Sequence, residues 1–318
     1  MFLLLLLLSM VTYAWQGAMV GQLARRHDLL WVCTVRGLSL LVVMAPLLLL
    51  QPLVFARPIA WAEAPAHLPH LGLACLGAMV GNLAMVYAMR HLPLAIANAC
   101  CQGLSALFVL IIEVATTGSW PPAGQLACVG GILAGVAVLG WISSRGAVVA
   151  ADARPLRGVV ACVLFGASMA SALIPLGQVS RQVDPFYAAW AWEGGIGLVG
   201  LAMIGVRSLW RRGDGIPLAA AWRVGLCSSP TLVGTGAYTW ATTLGSLSIA
   251  SGVLSTMMVG TAIYAWAFYR ERLRPAQWAT MAAICACLLA LGVVKHLAER
   301  GAVSAGPDAP RTIARPGG

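Results

Sequence analysis

The sequence predicts an all-α integral membrane protein, ten transmembrane helices arranged as two inverted five-helix repeats, and three observations carry that expectation. Of its 318 residues 60% are hydrophobic and 9% charged, with a mean hydropathy of +0.86, more apolar surface than one soluble core can hide. Charge is confined to short clusters between apolar runs of roughly 20 residues, each long enough to cross a ~30 Å hydrocarbon layer as a helix. Helices are the natural form there, because lipid offers the backbone no hydrogen-bond partner. The chain also repeats itself. Gly21-Gln22-Leu23-Ala24-Arg25-Arg26-His27-Asp28 and Gly177-Gln178-Val179-Ser180-Arg181-Gln182-Val183-Asp184 agree at four of eight positions. A second match sets His70–Ala97 against Arg223–Ala250, with Gly72/Gly225, Val80/Val233, Gly81/Gly234, Ala84/Ala237 and Ala88/Ala241 in register. The offset moves only from 156 to 153, and repeats of this length in an apolar chain are a hallmark of carriers.

The spans run in order at Phe2–Ala24, Leu29–Leu50, Leu71–Met89, Leu92–Ile112, Gly124–Ile142, Gly158–Gly177, Phe186–Val206, Val224–Thr243, Leu247–Phe268 and Ala276–Val294. The Leu3–Leu8 run of the first looks like the core of a signal peptide, but no Lys or Arg precedes it and its repeat mate lies mid-chain, so it is expected to stay as a helix. Five spans per repeat, an odd number, send the second copy through the membrane the other way up. Residues 1–146 form the first repeat, 147–157 the linker, 158–298 the second repeat and 299–318 a tail of disordered composition.

The formal charge of +10 comes from arginines spread over successive loops, which anchor helix ends and do not mark a nucleic-acid surface. Loops after odd-numbered spans carry the larger share, including Arg25, Arg26, Arg211, Arg212, Arg270, Arg272 and Arg274. That count places both termini outside the cell. All nine cysteines fall inside apolar runs and read as small packing residues. No cofactor is expected: Gly195-Ile196-Gly197-Leu198-Val199-Gly200 spells a dinucleotide fingerprint, but no strand precedes it. Gly17/Gly21, Gly77/Gly81 and Gly131/Gly135 place small residues four apart, as helix-packing seams do.

Arg270-Glu271-Arg272-Leu273-Arg274-Pro275-Ala276-Gln277 forms an acidic turn before a last apolar helix. Its first-half counterpart, Gly118-Ser119-Trp120-Pro121-Pro122-Ala123-Gly124-Gln125, keeps Pro122 and Ala123 but has Gly118 where Glu271 stands. With Arg36 early in the second span, this pattern resembles the ten-helix EamA-type members of the drug/metabolite transporter superfamily over roughly residues 1–298. The resemblance implies a basket of helices around a central cavity, the fifth and tenth at its edge, and export or exchange of small metabolites. It also implies cytoplasmic termini, against the arginine count.

Two ionisable residues lie well inside spans, Arg36 in the second and Glu193 in the seventh. Intramembrane charge is costly and usually faces a cavity or a partner. Each sits roughly 10 Å from the membrane face where its span begins, and those faces are opposite, so the two side chains can bracket one midplane site. They are also consistent with a purely structural ion pair. In the functional reading Arg36 meets an anionic group of the substrate, and Glu193 meets a cationic group or carries a proton, since burial penalises a carboxylate's charge. Trp190 stands one turn before Glu193 and is expected to wall the site. The mates Asn82/Thr235 and Asn98/Ser251 suit either a polar lining or helix–helix hydrogen bonds, and Tyr238 is a candidate lining aromatic. These expectations describe a non-enzymatic secondary carrier in the inner (plasma) membrane, its partners a small-molecule substrate, the bilayer and a second copy of the chain, with no nucleic acid. The rival is a membrane-embedded lipid-modifying enzyme or a lipid flippase, but the spans offer no clustered acids or nucleophile–base pair.

Overall fold

The computed structural model describes residues 1–55, 59–117, 123–144, 154–210, 215–244, 250, 253–254 and 256–304. Eleven helices account for nearly all of them: α1 (Phe2–Ala24), α2 (Leu29–Phe55), α3 (Ala64–His91), α4 (Leu94–Thr117), α5 (Ala123–Ser144), α6 (Pro155–Gln182), α7 (Pro185–Trp210), α8 (Leu218–Ser228), α9 (Thr231–Leu244), α10 (Met257–Tyr269) and α11 (Pro275–Ser304). Six of these, α1, α2, α3, α6, α7 and α11, contain apolar stretches long enough to span a bilayer unaided. There is no strand among the described residues.

Most boundaries match the apolar runs, and the departures have local causes. The expected eighth span is two helices. Pro230 has no N–H to donate, so the ladder of α8 ends with Ser229 N bonded to Gly225 O and Leu226 O, and α9 restarts at Thr231. Helix α3 begins two turns before the expected Leu71, with Pro65 in its first turn, where a missing N–H costs nothing, and Pro69 inside. For the ninth span the described helix is α10, from Met257; residues 245–249, 251–252 and 255 lie outside the described part. Helix α11 runs to Ser304, past the expected end at 298, so the first residues assigned to a disordered tail are helical.

The helices pair across the two halves. Helix α3 packs on α6 as α9 packs on α1, α4 on α6 as α10 on α1, while α2 meets α7 and α5 meets α11. Each of these relations maps onto another, or onto itself, when the halves are exchanged, as a pseudo-two-fold requires. Side chains obey the same exchange. Asp28 Oδ1 accepts the Trp31 N–H and Asp184 Oδ1 accepts the Tyr187 N–H, each opening the second helix of its repeat. Arg207 Nη1 donates to Asp28 Oδ2 at 2.8 Å, and Gln51 Nε2 to Asp184 Oδ2 at 3.0 Å. Arg25 Nε donates to Met89 O and Arg181 Nε to Thr242 O.

Glycine seams bring these helices close. A Cβ on Gly37 would stand 2.6 Å from Gly197 Cα and 2.9 Å from Glu193 O, so α2 and α7 cross backbone to backbone. Gly77 and Gly81 face Ser168 and Met169 on α6, and Gly131 and Gly135 face Cys287 and Ile284 on α11. Helices α5 and α11 thus zip together away from the centre. The other helices are left to surround it.

Candidate functional site

Arg36 on α2 and Glu193 on α7 meet beside the Gly37–Gly197 crossing, Arg36 adjacent to Gly37 and Glu193 one turn before Gly197. Nη2 of Arg36 lies 2.7 Å from Glu193 Oε2, and the two residues are 6% and 0% exposed. The second carboxylate oxygen, Oε1, accepts the Thr235 hydroxyl of α9 at 2.8 Å, and Thr235 Oγ1 shares a 2.7 Å hydrogen bond with the Tyr13 hydroxyl of α1. Four helices from both halves therefore converge on one ion pair. A buried pair recovers its desolvation cost only when the remaining lone pairs and protons are satisfied. Glu193 meets that condition; Arg36 does not, because its Nη1 has no hydrogen-bond partner.

The pair borders a cavity of about 110 Å³ enclosed by α1, α2, α3, α4, α6, α7, α9 and α10. Its polar lining comes from Gln16 and Tyr13 on α1, Asn82 on α3, Asn98, Gln102 and Ser105 on α4, and Tyr238 on α9. Its apolar lining is rich in methionine: Met85, Met89, Met169 and Met257 stand beside Phe165, Leu173 and Trp192. On this scale cavities of ~150 Å³ admit a benzene-sized molecule. Among the described residues Glu193 is the one acidic side chain in the lining, and no group of three His, Cys, Asp or Glu residues is placed to hold a metal ion.

The structure brings Arg36, Glu193, Asn82, Asn98 and Tyr238 to this cavity and places Thr235 directly behind Glu193. Asn82 Nδ2 donates to Ala78 O in its own helix, and Asn98 Nδ2 donates to Thr261 Oγ1 across the α4–α10 contact, so both have structural bonds as well. Trp190 is elsewhere. Its indole N–H bonds Leu41 O of α2 at 3.0 Å, while Trp192 and Glu193 reach the cavity. The aromatic wall beside the carboxylate is Trp192 and not Trp190. Ser251 lies outside the described residues. Sequence reading missed Tyr13, Gln16 and Gln102, although polar residues deep in apolar helices were a usable signal.

On the loop side of α1, Arg25 binds four helix ends into one knot. It donates to Met89 O, Leu92 O, Gln22 Oε1 and, at 3.4 Å, Glu271 Oε1. Glu271 also accepts the Leu94 N–H at the start of α4, which explains an acidic residue in that turn. Arg270 makes the turn possible by taking a left-handed conformation, φ 55°. Outside the spans, burial tends to raise the Asp28 carboxyl, but hydrogen bonds from Arg207 and the Trp31 N–H prevail and hold it below the usual range.

The model of the EamA-like transporter family matches residues 1–141 and again 156–293, one match to each repeat. The chain belongs to the EamA-like transporter family. It is a multi-pass membrane protein of the drug/metabolite transporter type, in a family whose members are transporters and not enzymes. No curated protein sequence matches it. A solved crystal structure, described only as "Crystal structure of protein", has the same fold, with a TM-score of 0.57 at 14% identity over 94% of this chain and 98% of that one.

Proposed function

We propose that the protein is a secondary carrier, an exporter or exchanger of a small amphipathic metabolite in the inner (plasma) membrane, working by alternating access at the interface of its repeats. The observation that carries this reading is the Arg36–Glu193 pair, buried in a cavity walled by helices of both halves. Arg36 comes from the first half and Glu193 from the second, so whatever loosens the pair acts on the contact between the halves. We assign coupling to a proton gradient to this pair, since Glu193 is the one acidic side chain in the lining among the described residues. The methionine and aromatic wall accepts an apolar body, and the polar lining orients it.

The test is flux in vesicles reconstituted with the purified chain, across a panel of metabolites and with an imposed pH gradient. Arg36→Ala and Glu193→Gln should each lower substrate-dependent flux at normal membrane insertion. Unchanged kinetics in both variants assign the pair to structure alone. Turnover of a membrane lipid without metabolite flux supports the flippase or enzyme reading instead.

A further inference from the structure

Resting on the carrier reading, we infer that the substrate is a compact amphipathic carboxylic acid whose carboxylate is received by Nη1 of Arg36 and Nε2 of Gln16. Both atoms are buried N–H donors without a hydrogen-bond partner. The two residues are 6% and 7% exposed and line the same cavity. An unmade buried donor is costly, and native proteins rarely leave one without a reason. Two in one cavity mark a place where an acceptor belongs.

The sign of the ligand is set by which atoms are open. Among the described residues, the fully buried unpartnered polar atoms of the lining are these two nitrogens; the fully buried unpartnered oxygens, Ser9 Oγ, Gln51 Oε1 and Thr231 Oγ1, lie outside it. Both carboxylate oxygens of Glu193 are engaged, by Arg36 and Thr235. A cationic ligand therefore finds neutral amide oxygens, such as those of Asn82 and Gln102, but no carboxylate oxygen free of a donor. An acceptor ligand finds two open donors, one of them a guanidinium edge, whose charge-assisted bonds are about twice as strong as neutral ones.

Size and wall chemistry narrow the class. Glu193 already balances Arg36, so among anions a doubly charged phosphate would be strongly penalised in a chamber this apolar, while a carboxylate adds a single charge. Beyond the donors, Met85, Met89, Met169 and Met257 offer a polarisable surface that adjusts to different apolar bodies. At about 110 Å³ the chamber is smaller than one that admits benzene, so a one-ring body enters as the flexible methionine side chains shift.

The full chain, purified in detergent, is melted with benzoate, benzamide and benzylamine, which share a ring and differ in the group offered to Arg36, and with phenylacetate and butyrate. Benzoate should raise the melting temperature in proportion to its concentration, and the amide and amine should not. Gln16→Leu should weaken benzoate binding about tenfold or more, the value of a hydrogen bond to a charged group. Without ligand it should melt at or above wild type, since it deletes an unpartnered buried donor. A shift by benzylamine equal to that by benzoate, no shift by any of the three carboxylates, or full benzoate affinity in Gln16→Leu overturns the inference. These binding readouts are independent of flux: a chain that binds benzoate but moves nothing keeps the inference and loses the carrier, and one that moves amines does the reverse.

Discussion

The Arg36–Glu193 pair can be weighed by removing its partners singly and together. In Arg36→Met the Glu193 carboxylate stays at 0% exposure with the Thr235 hydroxyl as its remaining partner. Breaking a buried pair from one side costs about 3–5 kcal/mol, whereas replacing both members with apolar residues of similar volume is near neutral. The lower end applies here, because Arg36 takes an unpartnered donor with it. At ~2–4 °C per kcal/mol, the scale of domains somewhat smaller than this chain, a loss of about 3 kcal/mol lowers the melting temperature by roughly 10 °C. The double variant Arg36→Met/Glu193→Leu should recover all but ~1 kcal/mol, the share of Thr235 left without its acceptor. Thermal unfolding in detergent reads the two melting temperatures, and flux in vesicles reads function; the double variant should be stable and inert. A single variant melting within about 2 °C of wild type, or a double no better than the single, would refute this reasoning.

Gly37→Ala should lower the yield of folded protein and its melting temperature sharply. The new Cβ meets Gly197 backbone, which cannot rotate aside, while Gly205→Ala, with nothing within 4 Å, should be neutral. The Asp28–Arg207 link should be insensitive to pH around neutrality. The folded carboxyl is held low, so its contribution is complete above the unfolded value near ~3.9 and is lost as pH falls through the lowered one. Melting curves of wild type and Asp28→Asn should therefore differ at pH 7 and converge in acid below about pH 4; a difference that vanishes between pH 6 and 8 assigns the effect to another group.

The repeat and the two intramembrane charges were legible in the sequence because each rests on a strong local rule. An apolar run must span, and a buried arginine needs a partner. Which flank of a helix faces the cavity was not legible. Trp190 and Trp192 are both close to Glu193 in sequence, and only the packing of α7 against α2 decides that Trp190 caps Leu41 O while Trp192 lines the chamber. The break in the eighth span could have been anticipated from Pro230, whose missing N–H outweighs the continuous hydropathy around it.

The frame obeys the pseudo-two-fold, whereas the site and one face depart from it. At the 156 offset Arg36 is matched by Trp192, Glu193 by Gly37 and Gln16 by Ala172, so the chamber's chemistry has a direction that the scaffold lacks. Among the described residues the two faces differ as well. Arg25 ties the ends of α1 and α3 and the start of α4 to Glu271, and Arg90 adds bonds to Ala24 O and His27 O. Its mate Arg181 donates to Thr242 O. Closure on the Arg25 face thus rests on several charge-assisted bonds, each worth about 1.5–3 kcal/mol when buried and less at the partial exposure seen here. Cys33 lines the chamber and is 1% exposed, so its thiol reports on closure. In a variant retaining Cys33 as its one cysteine, Arg25→Gln should speed labelling by an impermeant maleimide applied to the Arg25 face, and Arg181→Gln should not. Equal rates in the two variants would mean that the arginine knot is no barrier, and that this face is sealed by the apolar contacts of Met89, Leu92 and Leu94 beneath it.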